Sequence, residues 1–411
     1  MDSPSTAGAS PRRGPTRRTS RISGVDAARC LALLGMMTVH VISTTDEFTG
    51  DPTLAGWLFT GRPSALFALL AGVGLALLSG GAAGAGSRER VVWNRKVVAV
   101  RALLIMVIGL AVAALETSVA IILVHYGVLF LLALPFLSLG VKPLLGLAAG
   151  WVLLAPLAFR WVYTGLAEDI EGFAVTWRLW HSPGFADLLQ PELLAMDLAV
   201  TGYYPLLIWP AYLFTGMAVG RLRLTETAVA VRLAVVGALL AASSWLVGQL
   251  TLVTSEVVSD LARTSGLPEP EVRGELQTGT LLPIIEDDRW FLLATPHSGT
   301  SMDVLHTVGT SLLVLGVCLL VTDRLGRLAA PVVGAGAMPL TLYVGHLVVL
   351  HLWRDEGGLL HTDAIGSTEI MVSLVLAALA GGTLQQLLGR RGPLEAVTHA
   401  AGVGVAGRRP Q

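Results

Sequence analysis

The stretch VDAARCLALLGMMTVHVIS, residues 25–43, is long enough and apolar enough to cross a membrane, yet it contains Asp26, Arg29 and His40. A membrane-spanning helix needs about 20 predominantly apolar residues. An ionisable side chain inside such a helix costs on the order of 2.5–3.5 kcal/mol on insertion scales and is a functional candidate by default. The stretch therefore predicts a transmembrane helix with a functional site on it.

The composition of the whole chain supports a membrane protein. Of the 411 residues, 53% are hydrophobic and 14% are charged, and the mean hydropathy is +0.68. Ordinary soluble domains have about 25% charged residues, so this composition excludes that class. The formal net charge of −1 gives no indication of a nucleic-acid partner, and the predicted partner is the lipid bilayer.

Apolar runs of spanning length recur along the chain. They predict an all-α, polytopic transmembrane helical bundle of about ten helices. We place these helices near residues 25–43, 57–79, 97–115, 118–138, 143–163, 200–220, 228–250, 303–322, 331–353 and 368–388. The loops between them are alternately basic and acidic. Because cytoplasmic loops collect Arg and Lys, this alternation predicts a multi-pass plasma-membrane protein with both termini in the cytoplasm.

The segments around the helices differ in composition. Residues 1–22 are rich in Ser, Pro, Gly and Arg, which predicts a disordered basic cytoplasmic tail. The transmembrane domain is expected to take residues 23–390, with long extracytoplasmic loops near 164–199 and 251–302, followed by a cytoplasmic C-terminal tail at 391–411. Because no small-residue cleavage site follows the first apolar run, we expect a retained helix and not a signal peptide.

Arg29 and His40 share one face of the first helix. They are 11 residues apart, which corresponds to three turns plus about 20° and roughly 16 Å along the axis. This spacing suits acyl-coenzyme A entering from the cytoplasm, with its phosphates near Arg29, Asp26 and the helix N-terminus and its thioester near His40. An imidazole is a natural general base for an acceptor hydroxyl or amine. Arg95 and Lys96, in the next basic segment, are further candidates for the phosphates.

These residues also have structural explanations that the sequence leaves open. Asp26 and Arg29 are three residues apart and could form an ion pair near the interface, with the guanidinium extending toward water. His40 could be an interfacial histidine that is hydrogen-bonded to a loop. The joint spacing of Arg29 and His40 favours the functional interpretation.

Other polar side chains lie in the half of the bundle that is predicted to face outward. His297, in the loop motif PHSG, is the second catalytic candidate. Four residues are candidates for binding the acceptor: Arg62, His125, His306 and His346. As alternatives, Arg62 could extend to water, and His125 and His346 could be core histidines. The TSMD motif at residues 300–303 is typical of a helix cap.

Other kinds of site have little support in the sequence. Because it contains no HExxH or paired-cysteine motif, no metal site is expected. The glycine-rich stretch GGAAGAGS, residues 80–87, lacks the Gly-Lys-Ser/Thr ending of a phosphate loop and predicts a flexible loop. Cys30 and Cys318 are expected to be buried thiols and not a disulfide.

The stretch RISGVDAARCLALLGMMTVH, residues 21–40, resembles the first helix of the transmembrane acyltransferases. The acyltransferase type 3 family has an Arg, ten residues and a His there, which Arg29 and His40 match. The heparan-alpha-glucosaminide N-acetyltransferase family has a related D-x-x-R start, matched by Asp26 and Arg29. Cys30 departs from the small residue, commonly Gly, that follows this arginine in the family. Further segments resemble the bacterial YeiB-type relatives of the latter family: residues 61–77, 201–222, 296–316, 336–350 and 390–397.

The resemblance implies a bundle that transfers an acyl group, usually acetyl, from cytoplasmic acyl-coenzyme A to a glycan or glycolipid acceptor at the outer face. One alternative is a transporter or exporter of a small molecule or envelope precursor, in which the buried Arg, Asp and His serve substrate or proton passage. Another is a non-catalytic protein that binds an envelope lipid or glycan. The sequence lacks a clear pair of broken helices in matching halves, which disfavours the transporter. Binding of coenzyme A distinguishes the enzyme from both alternatives.

Overall fold

Apolar helices dominate the computed structural model, which describes residues 22–46, 48–49, 51–115, 117, 119–169, 181–254, 256–278, 287–353 and 366–410. The first half of the chain forms α1 (Ser23–Val41), α2 (Leu54–Phe59), α3 (Arg62–Leu78), α4 (Arg88–Ala113), α5 (Leu123–Ala133), α6 (Val141–Asp169), α7 (Pro191–Met196) and α8 (Pro210–Gly220). The second half forms α9 (Thr227–Thr254), α10 (Val257–Ser265), α11 (Glu269–Thr278), α12 (Ser301–Leu325), α13 (Ala330–Gly336), α14 (Pro339–Trp353), α15 (Ser367–Leu388) and α16 (Pro393–Ala406). These described residues contain no β-strand, so the all-α prediction is confirmed.

Several of the helices are suited to crossing a bilayer. Seven segments of the described chain are long and apolar enough: Ser23–Val41, Leu54–Leu78, Arg88–Ala113, Val141–Gly165, Thr227–Thr254, Ser301–Gly336 and Ser367–Leu388. The other predicted spans coincide with shorter helices at Leu123–Phe136, Pro210–Gly220 and Pro339–Trp353. The number of crossings and the side on which each terminus lies stay predictions.

Prolines account for two differences from the predicted spans. The span predicted over residues 200–220 is wrong in its first half, because a π-helical turn (Asp197–Thr201) leads into an irregular segment and α8 starts only at Pro210. The span predicted over residues 331–353 is divided in two before Pro339. Proline lacks the backbone N–H that a continuous helix needs, and it is tolerated at a helix start.

Close packing joins α9 to α12 through glycines. A Cβ atom on Gly309 would lie 2.4 Å from the backbone nitrogen of Ala241, and one on Gly237 would lie 2.4 Å from that of Leu313. Backbones in contact at small residues are a usual way for membrane helices to associate, since lipid supplies no hydrophobic driving force between them. The two cysteines are buried free thiols, as predicted.

A buried arginine, Arg221, forms hydrogen bonds that join three segments at one end of the bundle. Arg221, just after α8, is 6% exposed. Its guanidinium donates to carbonyl oxygens of Leu139 (3.1 Å), Ala76 (3.1 Å), Gly81 (3.3 Å), Ser79 (3.4 Å) and Leu137, and to Oγ of Ser79 (2.9 Å). These acceptors lie at the end of α3 and in the α5–α6 connection, where carbonyls lack helical partners. Arg221 therefore joins α3 to the α5–α6 connection through these hydrogen bonds.

The C-terminal tail contains an ordered helix. α16 packs against α4, and the indole Nε1 of Trp93 donates to the Gly407 carbonyl at 2.9 Å. Glu395 of α16 accepts hydrogen bonds from the backbone nitrogens of Leu340 (2.7 Å) and Thr341 (3.2 Å) and from the Thr341 hydroxyl (2.6 Å). The carboxylate thereby caps the first turn of α14.

The long loops contain short helices in their described parts. In the second loop, Arg289 pairs with Asp260 (2.7 Å) and Asp287 (2.6 Å), and these contacts lower the pKa of both carboxyls. The predicted disorder of the N-terminal tail falls outside the described residues, as do the parts of the long loops at 170–180 and 279–286.

Candidate active site

Two cavities lie near the polar residues of α1. The first, the Arg29 cavity, has a volume of about 380 Å³, and its polar lining consists of Arg29, Arg101, Tyr126, Tyr343, Arg391, Glu395 and His399. The second, the His40 cavity, has a volume of about 440 Å³, and its polar lining includes His40, Thr44, Thr45, Thr60, Ser64, Tyr203, Tyr204 and His297. Arg29 and His40, which lie on one face of α1, thus line two different cavities.

Asp26 orients the guanidinium of Arg29. Nη1 of Arg29 donates to Oδ1 of Asp26 at 2.8 Å, and the carboxylate is almost fully buried while the arginine side chain is 22% exposed. The ion pair that gives a structural explanation of these two residues is therefore present. It does not exclude binding, because Arg29 also lines its cavity.

Gly74 provides the space that this guanidinium occupies. A Cβ atom at Gly74 would lie 2.9 Å from Nη2 of Arg29. Gly74 also lines the Arg29 cavity. The sequence does not predict its role, because a glycine in an apolar helix gives no indication of a nearby binding site.

If the Arg29 cavity binds coenzyme A, as the sequence leads us to expect, Gly74→Ala should weaken that binding about threefold to tenfold, because the methyl group would displace Arg29 from a charge-assisted contact. Thermal stability should change little, since the end of a flexible side chain can move. Isothermal titration of coenzyme A into the detergent-solubilised protein checks this. Gly345→Ala is the matched control, because a Cβ there meets nothing within 4 Å. Equal affinities of the two variants would refute this role for Gly74.

His40 is held by a second histidine. Nδ1 of His40 lies 3.1 Å from Nε2 of His346, and the two rings are stacked with centroids 5.3 Å apart and planes 11° apart. His346 is 2% exposed and is in the lining of neither cavity, so the structure does not bring it to the acceptor as predicted. If His40 is the donor in this hydrogen bond, its Nε2 is unprotonated and can act as a base.

A short chain of rings connects the linings of the two cavities. Tyr343 lines the Arg29 cavity, and its ring lies 5.0 Å from that of His346, which contacts His40 of the other cavity. Tyr126 also lines the Arg29 cavity, and its buried hydroxyl has no hydrogen-bond partner among the described residues. A hydroxyl in that position is available to a bound molecule.

His297 shares the cavity of His40, as a second catalytic residue requires. Its ring centroid lies 4.2 Å from that of Tyr203, and burial lowers the pKa of His297 to about 4, so its imidazole is neutral at pH 7. Its φ of 59° is the only positive φ among the non-glycine residues that the structure describes. Backbone strain of this kind is concentrated at functional sites.

Arg62 and His306 bind each other. Nε of Arg62 donates to Nε2 of His306 at 3.2 Å, and Nδ1 of His306 lies 3.0 Å from the Ala241 carbonyl, which fixes its tautomer. Arg62 also donates to the carbonyl of Trp57 at 2.5 Å. Neither residue is in the lining of the His40 cavity, so the structure does not bring these two acceptor-binding candidates to it.

The remaining residues of this region have structural contacts. His125 is buried, its ring lies edge-to-face 5.6 Å from that of Tyr204, and it is not in the lining of the His40 cavity. Thr300 caps α12 by accepting from the Asp303 nitrogen at 2.9 Å, which confirms the predicted cap. Asp303 also lines a small cavity beside His297, a position that the sequence did not indicate.

Arg95 and Lys96 lie outside the Arg29 cavity. α4 already begins at Arg88, so both residues are on a helix and not in a loop. Arg95 donates to the carbonyls of Leu134 (2.9 Å) and Pro135 (3.2 Å), and Lys96 is exposed. Arg101, further along the same helix, is in the lining instead.

One group of described residues has the composition of a metal site. Ligand atoms of His181, Asp187 and Asp197 lie within 4.8 Å of one another. His181 and Asp187 are themselves joined at 2.8 Å, and Asp197 accepts from Thr201 at 3.1 Å. These hydrogen bonds give a structural reason for the grouping, and the absence of a metal stays a prediction.

A comparison with protein families shows the family of this chain. The model of the family "Heparan-alpha-glucosaminide N-acetyltransferase, catalytic" matches residues 21–254. The chain belongs to this family. Together with the spanning helices, membership makes it a multi-pass membrane protein of an acetyltransferase family. A search of curated proteins gave no significant match.

The family match covers only part of the site. It includes Arg29, His40 and Arg101, which lie on α1 and α4. It ends before the segments that contribute His297, His346 and Arg391. The family match therefore gives no support to the roles of these later residues.

Proposed function

We propose that the protein transfers an acetyl group from acetyl-coenzyme A, bound in the Arg29 cavity, to an acceptor bound in the His40 cavity. The observation that carries this proposal is that one helix places a cation in one cavity and a histidine in the other. Family membership supports acetyl transfer as the reaction class.

The lining of the Arg29 cavity fits the donor. Arg29, Arg101 and Arg391 supply positive charge for phosphates, while the side chains of Phe67, Leu75 and Phe130 supply apolar walls for a pantetheine arm. The hydroxyl of Tyr126 can donate to an amide or thioester carbonyl. The loop-charge pattern supports a cytoplasmic opening for this cavity.

His40 acts as the general base in this proposal. A proton on Nδ1, donated to Nε2 of His346, leaves Nε2 of His40 free to accept the proton of the acceptor hydroxyl or amine. The acceptor oxygen or nitrogen forms a bond to the thioester carbonyl carbon, and the carbon–sulfur bond breaks. His40 then returns the proton to the departing thiolate, which leaves as coenzyme A.

The lining of the His40 cavity fits the acceptor. Tyrosine rings and hydroxyl groups in the lining, Tyr203, Tyr204, Thr60 and Ser64, suit a sugar, which combines apolar faces with hydroxyls. We therefore propose an acceptor that is a glycan or glycolipid, presented from the extracytoplasmic side. His297 would orient the acceptor, since its neutral ring can both donate and accept a hydrogen bond.

Release of free thiol from acetyl-coenzyme A tests the proposal. Detergent-purified protein is mixed with acetyl-coenzyme A and, as acceptor probes, glucosamine and an envelope glycan extract. Acceptor-dependent thiol release with recovery of an acetylated product is expected. A protein that binds coenzyme A without any acceptor-dependent release would contradict acetyl transfer, and one that binds no coenzyme A would favour the transporter alternative.

His346 is expected to act by positioning His40. In His346→Phe, the acceptor for Nδ1–H of His40 is lost, so we expect kcat to fall by at least about tenfold with little change in KM for acetyl-coenzyme A. His346→Gln places an amide oxygen near the former Nε2 and should retain most of the activity. Steady-state kinetics of both variants, with pH profiles, check this. Unchanged kcat and pH profile in His346→Phe would exclude the positioning role.

A further inference from the structure

We propose that Asp303 selects the acceptor by accepting a hydrogen bond from a hydroxyl or amino group of that molecule, other than the group that is acetylated. The contact takes place in a small pocket beside the His40 cavity. This inference rests on the proposed function in taking the His40 cavity as the acceptor site. It concerns a carboxyl group that no step of the proposed reaction uses.

The pocket adjoins the His40 cavity. This pocket, the Asp303 pocket, has a volume of about 20 Å³. Four residues line both the pocket and the larger cavity: Gly61, Ser64, Tyr203 and His297. A volume of about 10–15 Å³ is enough for a water molecule. The pocket therefore has room for one group of the size of a hydroxyl, carried by a molecule that occupies the larger cavity.

Asp303 is deeply buried, and only one of its carboxyl oxygens is engaged. The residue is 3% exposed and lies in the first turn of α12. Its Oδ2 accepts a hydrogen bond from the Gly299 nitrogen at 3.2 Å, and Oδ1 has no hydrogen-bond partner among the described residues. A buried polar group is costly when its hydrogen bonds are incomplete. Asp303 can therefore accept a further hydrogen bond that these residues do not supply.

The hydroxyl groups around the pocket donate elsewhere. Oγ1 of Thr307 donates to the backbone carbonyl of Asp303 at 2.7 Å, so its 2.9 Å hydrogen bond with Tyr212 uses the proton of the tyrosine hydroxyl. Oγ of Ser64 donates to the Gly61 carbonyl at 2.9 Å. A hydroxyl has one proton to donate. None of these three hydroxyls has a proton left for the carboxyl group of Asp303.

The opposite charge that acts on Asp303 is engaged elsewhere too. Arg62 interacts with Asp303 through its charge, and no hydrogen bond joins the two side chains in the part of the chain that the structure describes. Nε of Arg62 donates to His306 at 3.2 Å, and Nη1 donates to the carbonyl of Trp57. A molecule in the His40 cavity is therefore the source of the donor that Asp303 lacks.

The loop before α12 fixes the position of the carboxyl group. Gly299 has a φ of 68°, which favours glycine, and a Cβ atom there would lie 3.1 Å from Cγ1 of Ile208. His297, in the same loop, has a φ of 59°. This turn directs the Gly299 N–H to Oδ2 of Asp303, while Thr300 caps the helix. A polar group held in place before binding loses little freedom when the ligand arrives.

A buried acceptor of this kind discriminates between ligands. A molecule that places a hydroxyl or amino group in the pocket supplies the donor that Asp303 lacks. A molecule without that group leaves the carboxyl group unpaired, and sites built to bind a polar group reject such analogues strongly. Asp303 therefore favours acceptors with at least two hydrogen-bond donors, one that is acetylated and one that fills the pocket.

Ligand-observed NMR titrations of the full-length protein in detergent test the inference. The probes are glucosamine and its monodeoxy analogues, each of which lacks one hydroxyl group. We expect the wild type to bind glucosamine at least about tenfold more tightly than one of these analogues. In Asp303→Ala this preference should fall below about threefold. In Asp303→Asn the amide oxygen can remain on the Gly299 nitrogen while the NH₂ group replaces Oδ1, so the preference should also fall.

Asp323→Asn is the matched control. Asp323 is exposed at the other end of α12 and lines neither the pocket nor the two larger cavities. This variant should keep the wild-type preference. A purely structural defect lowers the melting temperature and weakens the binding of every sugar to the same extent, so it leaves the ratio of affinities unchanged. The ratio therefore reports on the pocket.

The possible outcomes separate this inference from the proposed function. Equal affinity of the wild type for glucosamine and all its monodeoxy analogues, or a preference that persists in a folded Asp303 variant, overturns the role of Asp303 and leaves acetyl transfer intact. A wild type that binds none of these sugars also overturns it. A preference that is lost in the Asp303 variants of a protein that releases no thiol from acetyl-coenzyme A supports the pocket and overturns the proposed reaction.

Discussion

Replacing His40 by alanine is expected to lower kcat for acetyl transfer by about 10²-fold to 10⁴-fold, the usual contribution of a general base. Among the described residues that line the His40 cavity, His40 alone has a hydrogen bond to a buried histidine, and His297 has no such bond. Coenzyme A affinity should stay close to that of the wild type, because His40 is outside the lining of the Arg29 cavity. Thiol release and calorimetric binding measure the two quantities separately.

His351→Ala is the matched control for this variant. His351 is on α14, as His346 is, but it lies in the lining of neither cavity. Its replacement should leave kcat within about twofold of the wild type, since a substitution away from the site has little effect. A wild-type kcat in His40→Ala, or an equal loss in His351→Ala, would contradict the role assigned to His40.

Arg221→Gln is expected to lower the free energy of unfolding by about 3 kcal/mol, since a buried charged donor network is removed and its acceptors lose their partners. The carbonyls of Ala76, Ser79 and Leu137, which lie near helix ends, would lose their donor, because a glutamine side chain is too short to contact all three. A clear fall in the melting temperature in detergent is the expected observation.

Arg223→Gln provides the comparison for Arg221→Gln. Arg223 is largely exposed and pairs with Glu226 at 3.2 Å. An exposed ion pair of this kind contributes about 0–1 kcal/mol. The melting temperature of Arg223→Gln should therefore stay near that of the wild type. Equal melting temperatures for the two variants would show that the hydrogen bonds of Arg221 do not stabilise the fold.

The sequence predicts those features that depend on local periodicity. Hydropathy and the length of apolar runs identify the long helices, because a spanning helix must satisfy its own backbone in lipid. The 11-residue spacing places Arg29 and His40 on one face, since helical geometry fixes the rotation per residue. Arg29 accordingly lines one cavity and His40 lines the other.

Contacts between distant segments explain what could not be predicted. His346 is 306 residues from His40 along the chain, and no local pattern indicates that their rings meet. The charges of Arg101 and Arg391 are indistinguishable from the bias of cytoplasmic segments until α16 is placed against α4. The sequence predicts that Arg62 and His306 each bind the acceptor, and their hydrogen bond to one another is also a contact between distant segments.

Transfer across a sealed membrane is the most direct test of the account. The protein is reconstituted into vesicles that enclose glucosamine and envelope glycan extract, and radiolabelled acetyl-coenzyme A is added outside. We predict that labelled acceptor accumulates inside the vesicles with the wild type and not with His40→Ala. No labelled acceptor inside the vesicles, or equal labelling by both proteins, would contradict transfer from the Arg29 cavity to the His40 cavity.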